Sequence, residues 1–249
     1  MNKEVIVCIG SKGRPKTKTY KLFEKLYKVY HFIEPQEFKK YDVPNMVNIK
    51  ENDRGVSYMR NFVLKWCKKK KIKWIILADD DIVSFGKVIN GKTKKTDASI
   101  WEDIYKKAKR LPFELVGINY RQYAWSEKNR ISINTKFPDV CVLINIDALT
   151  WDFGDWLLKV DRNFTLETIK NGYGTMRFNH FFFSCPDVGT NEGGLQDLYK
   201  KQIDKEYAIK LAEKWKPHTK LIKKGKRIDT KVDIKAVAKQ YGKKINEIR

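Results

Sequence analysis

Trp74-Ile75-Ile76-Leu77-Ala78-Asp79-Asp80-Asp81-Ile82 is the stretch of this sequence that decides the fold. A short apolar run rich in Ile predicts a strand buried on both faces, and it ends abruptly in three adjacent carboxylates. Alternate residues on an extended backbone point the same way, so Asp79 and Asp81 project together while Asp80 points elsewhere. Such a pair of carboxylates suits Mg²⁺ or Mn²⁺. A polar turn that caps a helix is the alternative interpretation.

Predicted strands alternate with predicted helices on either side of this motif. We expect strands at Val5–Ile9, His31–Ile33, Met46–Ile49, Leu115–Asn119, Val140–Ile146 and Phe181–Phe183. We expect helices through Phe23, Leu26, Tyr27 and Tyr30 (N-cap Thr17 or Thr19), from Gly55, and at Ser99–Arg110, Thr165–Asn171, Ile203–Trp215 and Asp233–Tyr241. This alternation indicates a parallel α/β sheet whose ligands bind beyond the carboxyl ends of the strands. The loop from Gly10 to Pro15, which follows the first strand, then shares a cleft with the acidic triplet.

The chain of 249 residues carries a formal net charge of +22, which predicts a polyanionic partner. A lysine-rich proteome is the other explanation of this charge. Residues 201–249 alone hold 16 Lys or Arg against 6 acids, so the basic character is strong in the C-terminal part. Four widely spaced cysteines show no metal-ligand pattern and indicate free thiols in a reducing compartment. With no signal peptide and no membrane-spanning stretch in the sequence, we expect a soluble, cytoplasmic protein.

Several motifs in a fixed order resemble the GT-A glycosyltransferases, Rossmann-like enzymes that use a nucleotide-diphospho-sugar and a divalent metal. They are the Ser11/Arg14/Pro15 loop, the helix start Arg54–Asn61, the Asp79-Asp80-Asp81 triplet, the segment Lys159–Phe164, the Gly193-Gly194 loop and His218. The triplet resembles the family's Asp-x-Asp motif. In Lys159–Phe164 only Asp161 matches the acceptor-side acidic motif. The implied fold is a mixed sheet flanked by helices over residues 1–225, followed by a basic, helical C-terminal extension over residues 226–249.

The resemblance implies a set of site residues. Donor-binding residues would be Gly10, Ser11, Arg14, Arg54, Arg60, Asp79, Asp80, Gly193 and Gly194. Arg14 and Arg60 could pair either with the diphosphate or with the acids themselves. A Mn²⁺ or Mg²⁺ ion would be held by Asp79, Asp81 and His218, although His218 could equally be a solvent-exposed residue of a basic tail. If the transfer inverts the anomeric centre, Asp161 is the first candidate for the base, with Asp187 and Glu192 in reserve.

Within this superfamily, the Arg-Asn helix and the Asp-Asp-Asp-Ile strand are most similar to the TET-associated glycosyltransferases of phages. That similarity implies sugar transfer, from a UDP-sugar in the first instance, to a hydroxymethylpyrimidine in double-stranded DNA, in the host cytoplasm if the protein is phage-encoded. Two stretches suit a DNA partner: the aromatic and basic segment Tyr120–Arg130, and Lys223, Lys224, Lys226 and Arg227. The alternatives are a metal-dependent nuclease or nucleotidyltransferase, a non-catalytic DNA-binding module, and a GT-A enzyme acting on a glycan or protein.

Overall fold

A computed structural model of the chain describes residues 2–138, 140–186, 193–195, 198–199, 201, 203–225 and 227–242. The strands are β1 Asn2–Ser11, β2 Tyr27–Ile33, β3 Met46–Asn48, β4 Trp74–Asp79, β5 Ser84–Ile89, β6 Lys92–Thr96, β7 Phe113–Tyr120, β8 Ile131–Ile133, β9 Val142–Asn145, β10 Gly174–Ser184, β11 Thr219–Lys224 and β12 Arg227–Val232. The helices are α1 Gly55–Lys69, α2 Ile100–Ala108, α3 Arg121–Ala124, α4 Val160–Lys170, α5 Ile203–Lys214 and α6 Ile234–Tyr241, with 3₁₀ turns at Thr19–Leu22 and Pro35–Lys40. No helix in these ranges combines the length and apolar character that a membrane span requires.

Within the described ranges, ten strands form one sheet in the order β3-β2-β1-β4-β9-β7-β10-β5-β6, with β8 beside β10. Strands β1 and β4 are parallel, as are β7 and β10, and β9 runs antiparallel between β4 and β7. Consequently β1, β4, β7 and β10 all end at the same side of the sheet, which we call the carboxyl edge. The α/β class is confirmed, and β9 makes the sheet mixed, as the resemblance implied, instead of wholly parallel.

Strand β4 is buried on both faces, which confirms the prediction from its sequence. Ile76 packs into the core on one side of the sheet together with Trp101 of α2. Ile75 and Leu77 pack into the core on the other side together with Val63 of α1. Each such side chain contributes roughly 1.5–3 kcal/mol when it is fully buried. The two cores fix β4 in the middle of the molecule, so its three carboxylates emerge at a defined position.

The helix predicted through Tyr30 is wrong, because β2 already begins at Tyr27. Burial in β2 alternates at first and then becomes continuous, as in a strand that enters the core between β1 and β3. The two threonines proposed as N-caps serve another purpose. Thr17 Oγ1 donates to the carbonyl of Asp80 at 2.5 Å, and Thr19 Oγ1 donates to the carbonyl of Ile82 at 3.0 Å. Both therefore fasten the segment after β1 to the acidic end of β4.

The hairpin of β5 and β6 follows the acidic triplet and was not predicted. Asn90 and Gly91 form its two-residue turn, with φ of 49° and 72°. Positive φ at both central residues is what a type I′ turn requires, and Asn-Gly is its preferred sequence. In this hairpin β6, which carries several lysines, is an edge strand of the sheet.

The C-terminal part forms more structure than the predicted helices alone. Helices α5 and α6 are confirmed, but the antiparallel hairpin of β11 and β12 between them was not predicted. Gly225, the last residue of the proposed glycosyltransferase domain, lies between these two strands. Helix α4 also differs from expectation, because it begins at Val160 and therefore includes Asp161 in its first turn.

Candidate active site

The loop after β1 meets the acidic end of β4 because the two strands are parallel neighbours. Gly10 is paired in register with Asp79, so Ser11 lies beside Asp80. The Ser11 hydroxyl donates a hydrogen bond to the Asp80 carboxylate and lies 2.9 Å from the hydroxyl of Tyr41. The end of β1 and the acidic triplet therefore lie in direct contact, which agrees with their predicted proximity.

Arg14 completes the surroundings of Asp80. Its Nη1 lies 2.5 Å from Asp80 Oδ1 and 3.4 Å from Asp81 Oδ2. Asp80 itself is buried, so the serine and the arginine keep its carboxylate in one position beneath the site. The sequence left open whether Arg14 pairs with the donor diphosphate or with the acids. In the structure it pairs with the acids, and its guanidinium lies near Asp81.

Arg60 of α1 joins Asp79 of the acidic triplet to Asp161 of α4. One terminal nitrogen lies 3.2 Å from Asp79 Oδ1, and the other hydrogen-bonds to Asp161 of α4. The arginine is 5% exposed, and its guanidinium lies over the ring of Phe153 with 5.5 Å between its central carbon and the ring centroid. Two carboxylates far apart in sequence thus meet at one guanidinium, and Arg60 too pairs with the acids.

Carboxylates outnumber guanidinium groups in this cluster, and the pKa of Asp79 is raised. Loss of hydration at its partly buried position raises the pKa of Asp79 to about 7; the charge of Arg60 opposes this rise, and the negative charges of Asp161, Asp81 and Asp80 add to it. Burial also raises the pKa of Asp80 against the effect of Arg14. Four carboxylates here face two guanidinium groups. An additional cation on Asp79 and Asp81 would restore the balance.

The start of α4 is fixed from outside the cluster. Asp229 of β12 accepts from Lys159 at 2.6 Å and from Arg162 at 2.9 Å, and these residues flank Asp161. Lys159 has a positive φ of 59°, so the chain turns sharply as it enters the helix. These contacts orient Asp161 towards Arg60. Asp229 was not singled out in the sequence, because nothing in a lone acid of a basic segment indicates its partners.

The Gly193-Gly194 loop lies against the loop after β1. The amide of Gly194 donates to the carbonyl of Lys12 at 2.9 Å. A Cβ added at Gly193 would lie 2.7 Å from the carbonyl oxygen of Gly13, and Gly193 has a φ of 75°. Glycine is therefore needed here both for its backbone conformation and for the close approach. Asp187 and Glu192, the reserve candidates for the base, lie outside the described residues.

Arg54 and His218, which were predicted to belong to the site, hydrogen-bond to residues outside the acid cluster. Arg54 is exposed and hydrogen-bonds to Glu51. The His218 ring hydrogen-bonds to Gln240 of α6 and makes an edge contact with Tyr241. The described residues contain no group of three His, Cys, Asp or Glu side chains arranged to hold a metal ion. His218 as a third ligand consequently stays a prediction without support from the structure.

Asp79 and Asp81 nevertheless fit a divalent cation. Mg²⁺ is usually held by only one or two carboxylates, with water and substrate phosphates completing its coordination. Loss of hydration raises the pKa of Asp79 even though Arg60 lies 3.2 Å away, and a bound divalent cation would favour the ionised form further. Beside Asp161 lies a small pocket in which apolar side chains surround Arg60, Asp161 and Thr165, namely Leu77, Leu115, Val140, Val142, Phe153 and Phe164.

Comparisons with known proteins bear on the family and the fold of this chain. The sequence profile of the TET-associated glycosyltransferases matches residues 5–194. The crystal structure of S. aureus TarS 1-349 superposes with a TM-score of 0.52 at 10% identity, covering 84% of this chain and 65% of TarS. A197 from STIV gives a TM-score of 0.45 at 11% identity, over 72% of this chain and 84% of A197. No curated protein sequence matches the chain. The chain thus spans less than two thirds of the TarS structure, and that likeness shows the GT-A fold.

Proposed function

The chain belongs to the TET-associated glycosyltransferase family, and from this premise we propose that it transfers a sugar from a UDP-sugar to the hydroxymethyl group of a modified pyrimidine in DNA. One observation carries the proposal: Arg60 contacts both Asp79, at the end of β4 where we propose that the donor binds, and Asp161, the candidate base. A transferase needs both groups at one point, because the departing diphosphate and the attacking hydroxyl meet at a single carbon.

We assign the donor to the cleft between the loop after β1 and the end of β4. Asp79 and Asp81 would hold Mn²⁺ or Mg²⁺, which when bound supplies positive charge to the departing diphosphate. Arg14, already 3.4 Å from Asp81, adds a fixed positive charge on the same side. Ser11, Tyr41 and Asp80 keep this arginine and the backbone of the loop in position.

Asp161 would accept the proton of the acceptor hydroxyl if the anomeric centre inverts. It lies in the first turn of α4, and its side chain is about one-third exposed at 34%. It therefore contacts both Arg60 and solvent, as a base that must reach a substrate does. If configuration is retained, Asp161 instead orients the acceptor.

A donor screen tests the proposal directly. The protein and Mn²⁺ are incubated with UDP-sugars and either hydroxymethylated or unmodified DNA. The masses of the product nucleosides are then measured by mass spectrometry. We expect a mass gain of one sugar on hydroxymethylated DNA alone. Asp81→Asn should lose this product, whereas Asp147→Asn, an exposed acid paired with Lys73 at 3.6 Å, should keep it. Donor hydrolysis without transfer to either DNA would exclude DNA as the acceptor, and cleavage of plasmid would indicate a nuclease.

A further inference from the structure

Residues 121–131, which we call the platform loop, carry two large aromatic side chains in solvent. Trp125 is 63% exposed and Tyr123 is 52% exposed. Their neighbours are packed: Tyr120 lies 4.5 Å from the ring of Phe183, and Ala124 is buried. The two exposed rings are therefore not part of the core and are accessible to a binding partner.

The platform loop is tied firmly to β10. Arg177 donates to Glu127 at 2.6 Å, and both side chains are mostly buried. Asn179 binds the backbone of the loop twice, because its amide donates to the carbonyl of Arg130 and its side chain donates to the carbonyl of Asn129, each at 2.9 Å. A ring presented by such a fixed backbone loses little freedom when it binds a partner.

The charges around the exposed rings are positive. Arg121, Lys128 and Arg130 are exposed. Glu127, the single acid of the platform loop, is already paired with Arg177 and lies 3.3 Å from Lys136. Flat rings beside unshielded cations suit a polyanion that carries planar groups, which describes a nucleic acid strand. An acidic protein would match the charge but would leave the flat faces without a specific role.

The platform loop lies at the carboxyl edge, near the acid cluster. Leu77 of β4 and Gly117 of β7 both pair with Val142 of β9. Two residues further along, Asp79 is therefore level with Asn119, across two strand spacings or roughly 10 Å. Helix α3 starts directly after Tyr120. A nucleotide next to the reacting one can thus contact the loop.

From this geometry we propose that Trp125 and Tyr123 stack on unpaired bases that flank the acceptor nucleotide. The acceptor role rests on the proposed function. The enzyme then acts on a strand whose target base is out of the duplex, either in single-stranded DNA or as a flipped base in a locally opened duplex. A perfectly paired duplex leaves no free base face for the two rings.

Binding without any donor tests the inference. A fluorescein-labelled oligonucleotide with unmodified bases is titrated by anisotropy as a single strand, as a duplex with one mismatch and as a perfect duplex. Stacking is worth about 1–3 kcal/mol per base, so Trp125→Ala should weaken single-strand binding about tenfold. Trp125→Phe should restore most of it. Equal losses on the mismatched duplex would identify flipping, and a loss confined to the single strand would identify single-stranded DNA as the substrate.

Matched variants lie at the opposite side of the sheet, where β7 begins. Leu111→Ala removes an apolar side chain that is 45% exposed, and Arg110→Ala removes an exposed cation to match Arg130→Ala. Unchanged single-strand affinity in Trp125→Ala, or an equal loss in Leu111→Ala, would overturn the inference. If Trp125→Ala loses affinity but the parent glycosylates no DNA, the stacking surface stands and the proposed acceptor fails. If the parent glycosylates DNA and Trp125→Ala binds and reacts as well, the inference alone fails.

Discussion

At the scale of single residues, Arg60 links the two parts of the candidate site, because it contacts both Asp79 and Asp161. It is 5% exposed and serves Asp79 and Asp161 with its two terminal nitrogens. Removing one partner from a buried ionic group leaves charges that lack both water and a counter-ion. The penalty is smaller here than for a fully buried pair, because the two carboxylates remain 38% and 34% exposed.

We expect Arg60→Ala to lower the free energy of unfolding by about 2 kcal/mol and to abolish transfer. Arg60→Lys can keep one of the two contacts, so it should fall between the parent and the alanine variant in both properties. Urea unfolding and initial rates measure the effects, and Lys69→Ala at the end of the same helix provides the control. If Arg60→Ala has the same free energy of unfolding as the parent, the contacts of Arg60 with Asp79 and Asp161 do not stabilise the fold.

Gly193 is required at a close approach of two loops. We expect Gly193→Ala to raise the KM for the nucleotide-sugar about tenfold or more, because the new Cβ would lie 2.7 Å from the carbonyl oxygen of Gly13 and separate the loops. Gly91→Ala is a matched control: its φ of 72° is similar, and a Cβ there would meet nothing within 4 Å. Both variants should lose about 1 kcal/mol of stability from backbone strain alone. An equal KM in the two variants would contradict this role of Gly193.

At the scale of elements, the hairpin of β11 and β12 supports the start of α4. Asp229 is 15% exposed and binds both Lys159 and Arg162. Burial by itself would raise the pKa of Asp229, but the Lys159 hydrogen bond and the charge of Arg162 lower it to about 2. A carboxyl with a lowered pKa in the folded state stabilises the fold above its ordinary pKa, and this stabilisation disappears as the pH falls towards 2.

Asp229→Asn should therefore cost about 2 kcal/mol at pH 6, and the gap from the parent should narrow to about half at pH 3. Urea unfolding at the two pH values measures it. Asp147→Asn, which removes an acid whose side chain is 55% exposed, should show little difference at either pH. A gap of the same size at pH 6 and pH 3 would mean that the charge of Asp229 is not what stabilises the start of α4.

An element could be predicted from the sequence when the residues that determine it are close together in the chain. Strand β4 was predicted because its apolar run and its acids are contiguous, and α1 was predicted because its apolar positions recur at helical spacing. The hairpin of β5 and β6 did have a local signal, the Asn90-Gly91 turn, which the periodicity of its exposed strands did not reinforce. The pairing of Arg60 with Asp161 and the anchoring of α4 by Asp229 have no local signal, since each joins segments brought together only by the sheet and its helices.

The whole molecule carries its positive charge unevenly. In the hairpin of β5 and β6, Lys87 is directly opposite Lys94, and Lys92 and Lys95 are exposed. None of these four lysines has an acidic partner among the described residues. Like charges facing each other across a strand pair are destabilising, although lysines on an edge strand also prevent association with other sheets.

If this hairpin contacts DNA phosphates, replacing Lys94 and Lys95 with Ala should reduce the salt dependence of duplex binding. Each lost phosphate contact lowers the slope of log K against log salt by about 0.9, so the expected change is about 1.8. Anisotropy titrations at several KCl concentrations measure it, with Lys69 and Lys70 at the end of α1 replaced as the control pair. An unchanged slope together with aggregation of the variant would assign these lysines to edge protection.

The bridge at Arg60 also has a thermodynamic consequence. If a cation binds Asp79 as proposed, it changes how fully the guanidinium is engaged by Asp161, because both carboxylates share that guanidinium. Energetic coupling between two ligand sites is reciprocal, so an acceptor bound at Asp161 would then change donor affinity by the same factor as the donor changes acceptor affinity. Under the proposed function, the donor and the acceptor would thus influence each other's affinity through the single side chain of Arg60.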